Sequence, residues 1–84
     1  MLKLLYFASL RERMGRSEED LALPEGVATV QDLIGWLTRR DQAGAAAFAR
    51  PELVRAARNQ EFAAPATPVQ DGDEVAFFPP VTGG

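Results

Sequence analysis

The feature that most constrains this chain is the run Phe77-Phe78-Pro79-Pro80-Val81-Thr82-Gly83-Gly84, an apolar strand that meets two prolines and then a diglycine. Neither proline has an N–H for a sheet ladder, and both hold φ at about −65°, so strand pairing must stop at Phe78 and an extended arm must follow. Gly83 and Gly84 have no Cβ and reach backbone angles closed to other residues, which suits a segment that threads a narrow channel. The plain alternative is a frayed terminus. At a glycine usage of about 7%, a diglycine end arises by chance in roughly one chain in two hundred. The two prolines before it weigh against that reading.

The 84 residues are expected to form one small domain, with 79–84 as its arm. A domain of this size buries about 60% of the surface its unfolded chain exposes, so the core is modest. There is no Cys and no His, which removes disulfides and the usual zinc sites, and no metal is expected. A secreted domain this small would more often be stapled by disulfides, so a cytoplasmic location is expected. The formal charge of −3 gives no basic footprint for nucleic acid or anionic membrane, and those partners are disfavoured. Met1 to Ala8 carries one lysine and an apolar run, but Arg11-Glu12-Arg13 follows without a small-residue cleavage site. That stretch reads as structure rather than a signal peptide, and no run has the length of a membrane span.

In residues 2–8, Leu2, Leu4, Tyr6 and Ala8 share one strand face and Lys3, Leu5, Phe7 and Ser9 the other. The even face is the expected core face, which leaves Leu5 and Phe7 on the side of Lys3. Ser9-Leu10-Arg11-Glu12 fits a capping box, with Gly15 placed to end a short helix. Leu21 and Leu23 have strand spacing before Pro24-Glu25-Gly26, so residues 19–23 are predicted to pair with the first strand as a hairpin. Thr29 then caps a principal helix over 30–40, with Val30, Leu33 and Leu37 at helical spacing. Gly35 weakens that helix by up to about 1 kcal/mol relative to alanine and is expected where the helix crosses the sheet closely. Trp36 is a core-edge aromatic or a partner anchor, and the core-edge reading is preferred. Ala43 to Ala49 reads as a short helix ended by Pro51, and by propensity 53–58 is helical too, although strand is open there. Asn59-Gln60 is a turn candidate, Phe62-Ala63 a strand stub, and Gly72 the positive-φ position of the turn at 69–74. After that turn, Val75 and Phe77 fall on one face, Ala76 and Phe78 on the other.

At Asp71-Gly72-Asp73-Glu74-Val75-Ala76-Phe77-Phe78-Pro79-Pro80-Val81-Thr82-Gly83-Gly84 the chain resembles the family of molybdopterin synthase small subunits, ubiquitin-like sulfur carriers. The opening strand with Phe7-Ala8 and the arginine-containing helix also fit. The resemblance implies an α+β, β-grasp fold: a mixed sheet of four to five strands, one main helix on one face and short extra helices. It also turns 53–58 into a sheet strand against propensity. It further implies that the carboxylate of Gly84 is activated by a ubiquitin-activating-like adenylating enzyme using ATP. A sulfur-donating enzyme then supplies a thiocarboxylate, and the large synthase subunit, in a heterotetramer, directs sulfur to a cyclic pyranopterin phosphate to make the dithiolene of molybdopterin. The carrier itself binds no cofactor directly.

The residues support that role from below. A carboxylate is a poor electrophile because attack must expel oxide, whereas an acyl adenylate loses AMP to a sulfur nucleophile. Without Cys or His the chain lacks the usual activated nucleophile and near-neutral base, so catalysis must lie in the enzymes that grip the tail. At about 3.3 Å per extended residue, Val81, Thr82, Gly83 and Gly84 reach roughly 13 Å past Pro80, while Pro79 and Pro80 lower the entropy cost of presenting them. Phe7 and Phe78, on neighbouring central strands of a β-grasp sheet, with Phe62 from the short strand, form the expected partner interface. For Phe62, closure over the core is about equally expected. A ubiquitin-like modifier joined through Gly84 to lysines, a sulfur carrier for thiazole synthesis and an inert adaptor are the competing functions.

Overall fold

The computed structural model describes residues 1–80. The first strand, β1 (Leu2–Tyr6), follows the predicted parity: Leu2, Leu4 and Tyr6 are fully buried, Lys3 is exposed and Leu5 is half-buried. It stops before Phe7, and Ala8, expected on the core face, is exposed with φ +52° at the start of α1 (Ala8–Met14). The capping box read at Ser9 and Glu12 does not form. The Phe7 carbonyl accepts the amides of Leu10 and Arg11 at 3.1 and 3.3 Å, which places Ser9 inside the first turn. Leu10 and Met14 need that phase to reach the core. Gly15 ends the helix in the left-handed region, as its lack of Cβ allows, and donates to the Arg11 carbonyl.

The second strand, β2 (Glu18–Leu21), lies antiparallel to β1 with Leu2 opposite Leu21 and Leu5 opposite Glu18. The principal helix, α2 (Val30–Arg40), has the predicted bounds. Thr29 accepts the Asp32 amide while Asp32 accepts the Thr29 amide, so both arms of a capping box are made. Val30, Leu33 and Leu37 are buried against the sheet residues of the core. Gly35 does not mark a close crossing. A Cβ there would meet the Arg39 guanidinium at 3.1 Å, on the outward face. Close approach occurs instead at Gly44 in α3 (Gln42–Ala47), where a Cβ would sit 1.8 Å from the Leu37 carbonyl oxygen.

A 3₁₀ turn over Pro51–Leu53 leads into β3 (Arg55–Arg58), so this segment is a strand, as the resemblance implies and propensity does not. Asn59 and Gln60 both have positive φ and turn the chain into β4 (Glu61–Ala63). Gly72, φ +93°, closes the turn before β5 (Glu74–Phe78), which ends where the prolines begin. The sheet order is β2-β1-β5-β3-β4, with β1 and β5 parallel at the centre and the other pairings antiparallel. Phe77 lies at the middle of the core, stacked on Tyr6 at 6.2 Å and edge-on to Phe48 at 5.2 Å.

Candidate functional site: the arm root and the open sheet face

The strand register sets out one face of the sheet in rows. Leu5, Ala76, Ala57 and Phe62 stand opposite one another across β1, β5, β3 and β4, and the next row brings Arg55 opposite Phe78. None of these six residues belongs to the buried core, which takes the alternate positions Leu4, Tyr6, Val75, Phe77 and Ala56. Phe62 is 90% exposed, so it does not close over the core, and it tilts against half-buried Phe78 with ring centroids 6.0 Å apart. Phe7 is 48% exposed and is tied to the end of β5 by its amide, which donates to the Phe77 carbonyl at 3.1 Å. The three aromatics named from the sequence therefore share one side of the sheet at the end from which the arm departs.

That face has a small-residue floor between its aromatics. Ala57 and Ala76 separate Leu5 from Phe62 in their row. Sequence reasoning did not single out Ala57, although a two-residue turn at Asn59-Gln60 pairs Arg58 with Glu61 and so Ala57 with Phe62.

Pro79 and Pro80 are half-buried rather than free of the body. Both wall a cleft with Ser9, Leu10 and Arg13 of α1 and with Arg50 and Leu53 beyond α3. Val81, Thr82, Gly83 and Gly84 lie outside the described residues.

Electrostatics support the scaffold rather than chemistry at the arm. Glu19 accepts the Tyr6 hydroxyl at 2.7 Å and a bidentate pair from Arg40 at 2.8 and 2.9 Å. The Arg40 hydrogen bonds hold the Glu19 carboxyl below the usual range, and burial together with Glu19 pushes the Tyr6 phenol well above its own. Arg40 also stacks over Trp36 at 5.4 Å, which accounts for Trp36 as a core-edge aromatic. Near the Asn59 turn, the side-chain amide of Asn59 donates to Asp73 and holds that carboxyl below its ordinary value. Among the described residues no three Asp or Glu side chains gather as a metal site.

A mixed five-stranded sheet with a crossing helix, parallel central strands and an arm leaving the last of them defines a ubiquitin-like β-grasp domain. The sequence profile of the ThiS family matches residues 4–84. Over 84 residues the chain is 40% identical to the molybdopterin synthase sulfur carrier subunit of Escherichia coli K12, covering 100% of both. It is 29% identical to SAMP1 of Haloferax volcanii, with TM-score 0.73 over 99% of this chain and 98% of that one. A Helicobacter pylori chain solved as a protein–protein complex of subunit 1 and 2 of molybdopterin-converting factor shares the fold at 19% identity, TM-score 0.63, over 99% of this chain and 97% of that one. The chain belongs to the ThiS family, among the sulfur carrier subunits of molybdopterin synthase.

Proposed function

We propose that residues 1–84 act as one carrier domain whose arm, 79–84, presents sulfur as a thiocarboxylate on Gly84. The Gly84 carboxylate attacks ATP held by a separate adenylating enzyme, giving an acyl adenylate and releasing pyrophosphate. Sulfur delivered by a donor enzyme displaces AMP. The large synthase subunit takes the thiocarboxylate and transfers its sulfur to a cyclic pyranopterin phosphate, and the Gly84 carboxylate returns. A dithiolene holds two sulfurs, so each product consumes two charged carriers. This chain supplies the acyl group, the arm and the docking face, while ATP and all acid–base groups stay with its partners in the cytoplasm.

The observation that carries this reading is the position of β5. It is a central strand held on both sides, and it runs directly into Pro79 and Pro80 beside the exposed aromatics. A rigid strand with a proline root can drive an arm into a deep site while Phe7, Phe78 and Phe62 dock the body against the same partner. The test is reconstitution with the large subunit and a cyclic pyranopterin phosphate. Thiocarboxylated protein should yield the dithiolene, and Gly84→Leu should abolish product with an unchanged melting temperature. Product formed as fast by Gly84→Leu would rule the reading out. The likeness to SAMP1 favours a second reading, a modifier linked through Gly84 to lysines. An isopeptide-linked ladder in place of the free thiocarboxylate would decide for it.

A further inference from the structure

We infer that the cleft at the root of the arm, between α1 and the segment around Arg50, receives an acidic side chain from the rim of the partner channel that takes the arm. The inference rests on the arm-delivery reading above and adds a second contact to it, separate from the aromatic face.

The cleft has a volume of about 340 Å³, with Leu10, Leu53 and Pro80 among its apolar walls and Ser9, Arg13 and Arg50 as its polar groups. That is near the lower limit of small-molecule sites, enough for a protruding side chain with an apolar neighbour. Its position determines who covers it. Pro79 and Pro80 are at once walls of the cleft and the described root of the arm. A channel that encloses the residues after Pro80 must bring its rim down onto Pro80, and so onto the cleft.

Charge selects the chemistry of that rim. The chain is net acidic at −3, yet Arg13 and Arg50 both face the cleft. Among the described residues Arg13 makes no ion pair or side-chain hydrogen bond, and Arg50 uses only its Nε, toward Glu52 at 3.1 Å, which leaves both terminal nitrogens as donors. Glu52 and, on α1, Glu12 are the nearby carboxylates in sequence, and neither lines the cleft. The acidic turn Asp71, Asp73 and Glu74 lies at the opposite end of β5. Two guanidinium groups over an apolar floor match a carboxylate on an otherwise apolar rim, a pairing that steers approach and fixes orientation. Leu53, 43% exposed at the lip, supplies the apolar contact beside it.

The experiment is titration calorimetry of the full chain against the molybdopterin synthase large subunit of the same organism, at 50 and 500 mM NaCl. Arg13→Glu/Arg50→Glu should weaken binding more than tenfold at low salt and less than threefold at high salt, with the melting temperature of the chain unchanged. Arg13→Gln/Arg50→Gln, which avoids new repulsions, should lose affinity and flatten the salt dependence. Wild-type affinity in both double variants would overturn the inference and leave arm delivery standing. So would a loss confined to Leu53→Ser, which would make the rim contact apolar. Failure of the wild-type chain to bind the large subunit at all would remove the delivery reading and this contact with it.

Discussion

Replacing Glu19 by glutamine tests how the sheet edge is locked to the helix, and its size follows from the geometry. Glu19, 11% exposed, accepts from Tyr6, twice from Arg40, which is 22% exposed, and from Arg16 at 3.1 Å. Glutamine keeps the shape, but its amide nitrogen cannot accept from a guanidinium, and the carboxylate charge is gone. Hydrogen bonds to charged groups contribute about 1.5–3 kcal/mol each, and breaking a fully buried pair costs about 3–5 kcal/mol. With Arg40 still touching water, the expected loss at pH 7 is about 2–3 kcal/mol, a fall in Tm of about 8 to 24 °C for a domain of this size. The pH dependence has a definite sign. The folded-state pKa of Glu19 lies below its ordinary value of 4.5, so the unfolded chain takes up the proton first. Its contribution is complete above that value and is lost as pH falls through the folded one. Thermal melts of both proteins from pH 7 into the acid range should therefore converge as pH drops, because protonated glutamate resembles glutamine. A gap that stays constant with pH, or one under about 0.5 kcal/mol at pH 7, would refute the electrostatic lock.

Three further substitutions probe the scaffold. Gly44→Ala drives a Cβ into the Leu37 backbone carbonyl, and chemical denaturation should show a loss at or above the upper end of the ~1–3 kcal/mol seen for overpacking. Gln60→Gly relieves a non-glycine residue at φ +71° and should raise stability by about 0.5–1 kcal/mol in the same assay, since the left-handed penalty exceeds the added chain entropy. Phe77→Ala empties the centre of the Tyr6–Phe77–Phe48 cluster and should cost about 3–5 kcal/mol.

Much of the fold was legible because local and tertiary demands agree there. The alternation of Leu2, Leu4 and Tyr6, the Thr29 N-cap, the Asn59-Gln60 turn and the stop at Pro79 each have one low-energy solution. Legibility failed where tertiary packing overrode local preference. The Ser9–Glu12 pattern lost to a helix that starts two residues earlier from the Phe7 carbonyl, because Leu10 and Met14 must point inward. Gly35 and Gly44 are indistinguishable by composition, and only the α2–α3 junction decides which one lacks room for a Cβ. Arg55 to Arg58 has helix-forming residues, and its strand state comes from pairing with β5 and β4. On the open sheet face, the placement of Phe7 and Phe78 was readable from strand parity, whereas parity alone leaves Phe62 open between this face and the core. The cleft was not readable, since Arg13, Arg50 and Pro80 come from three separate elements that only the fold brings together.

The central claim is that Gly84 is a carried substrate and the rest of the chain its holder. Intact mass of the chain, co-expressed with its adenylating enzyme and a sulfur donor, tests it most directly. The account predicts a single oxygen-to-sulfur exchange in the full chain and none when Gly84 is deleted. An unmodified mass while the adenylating enzyme is demonstrably active, or an exchange that survives loss of Gly84, would contradict it.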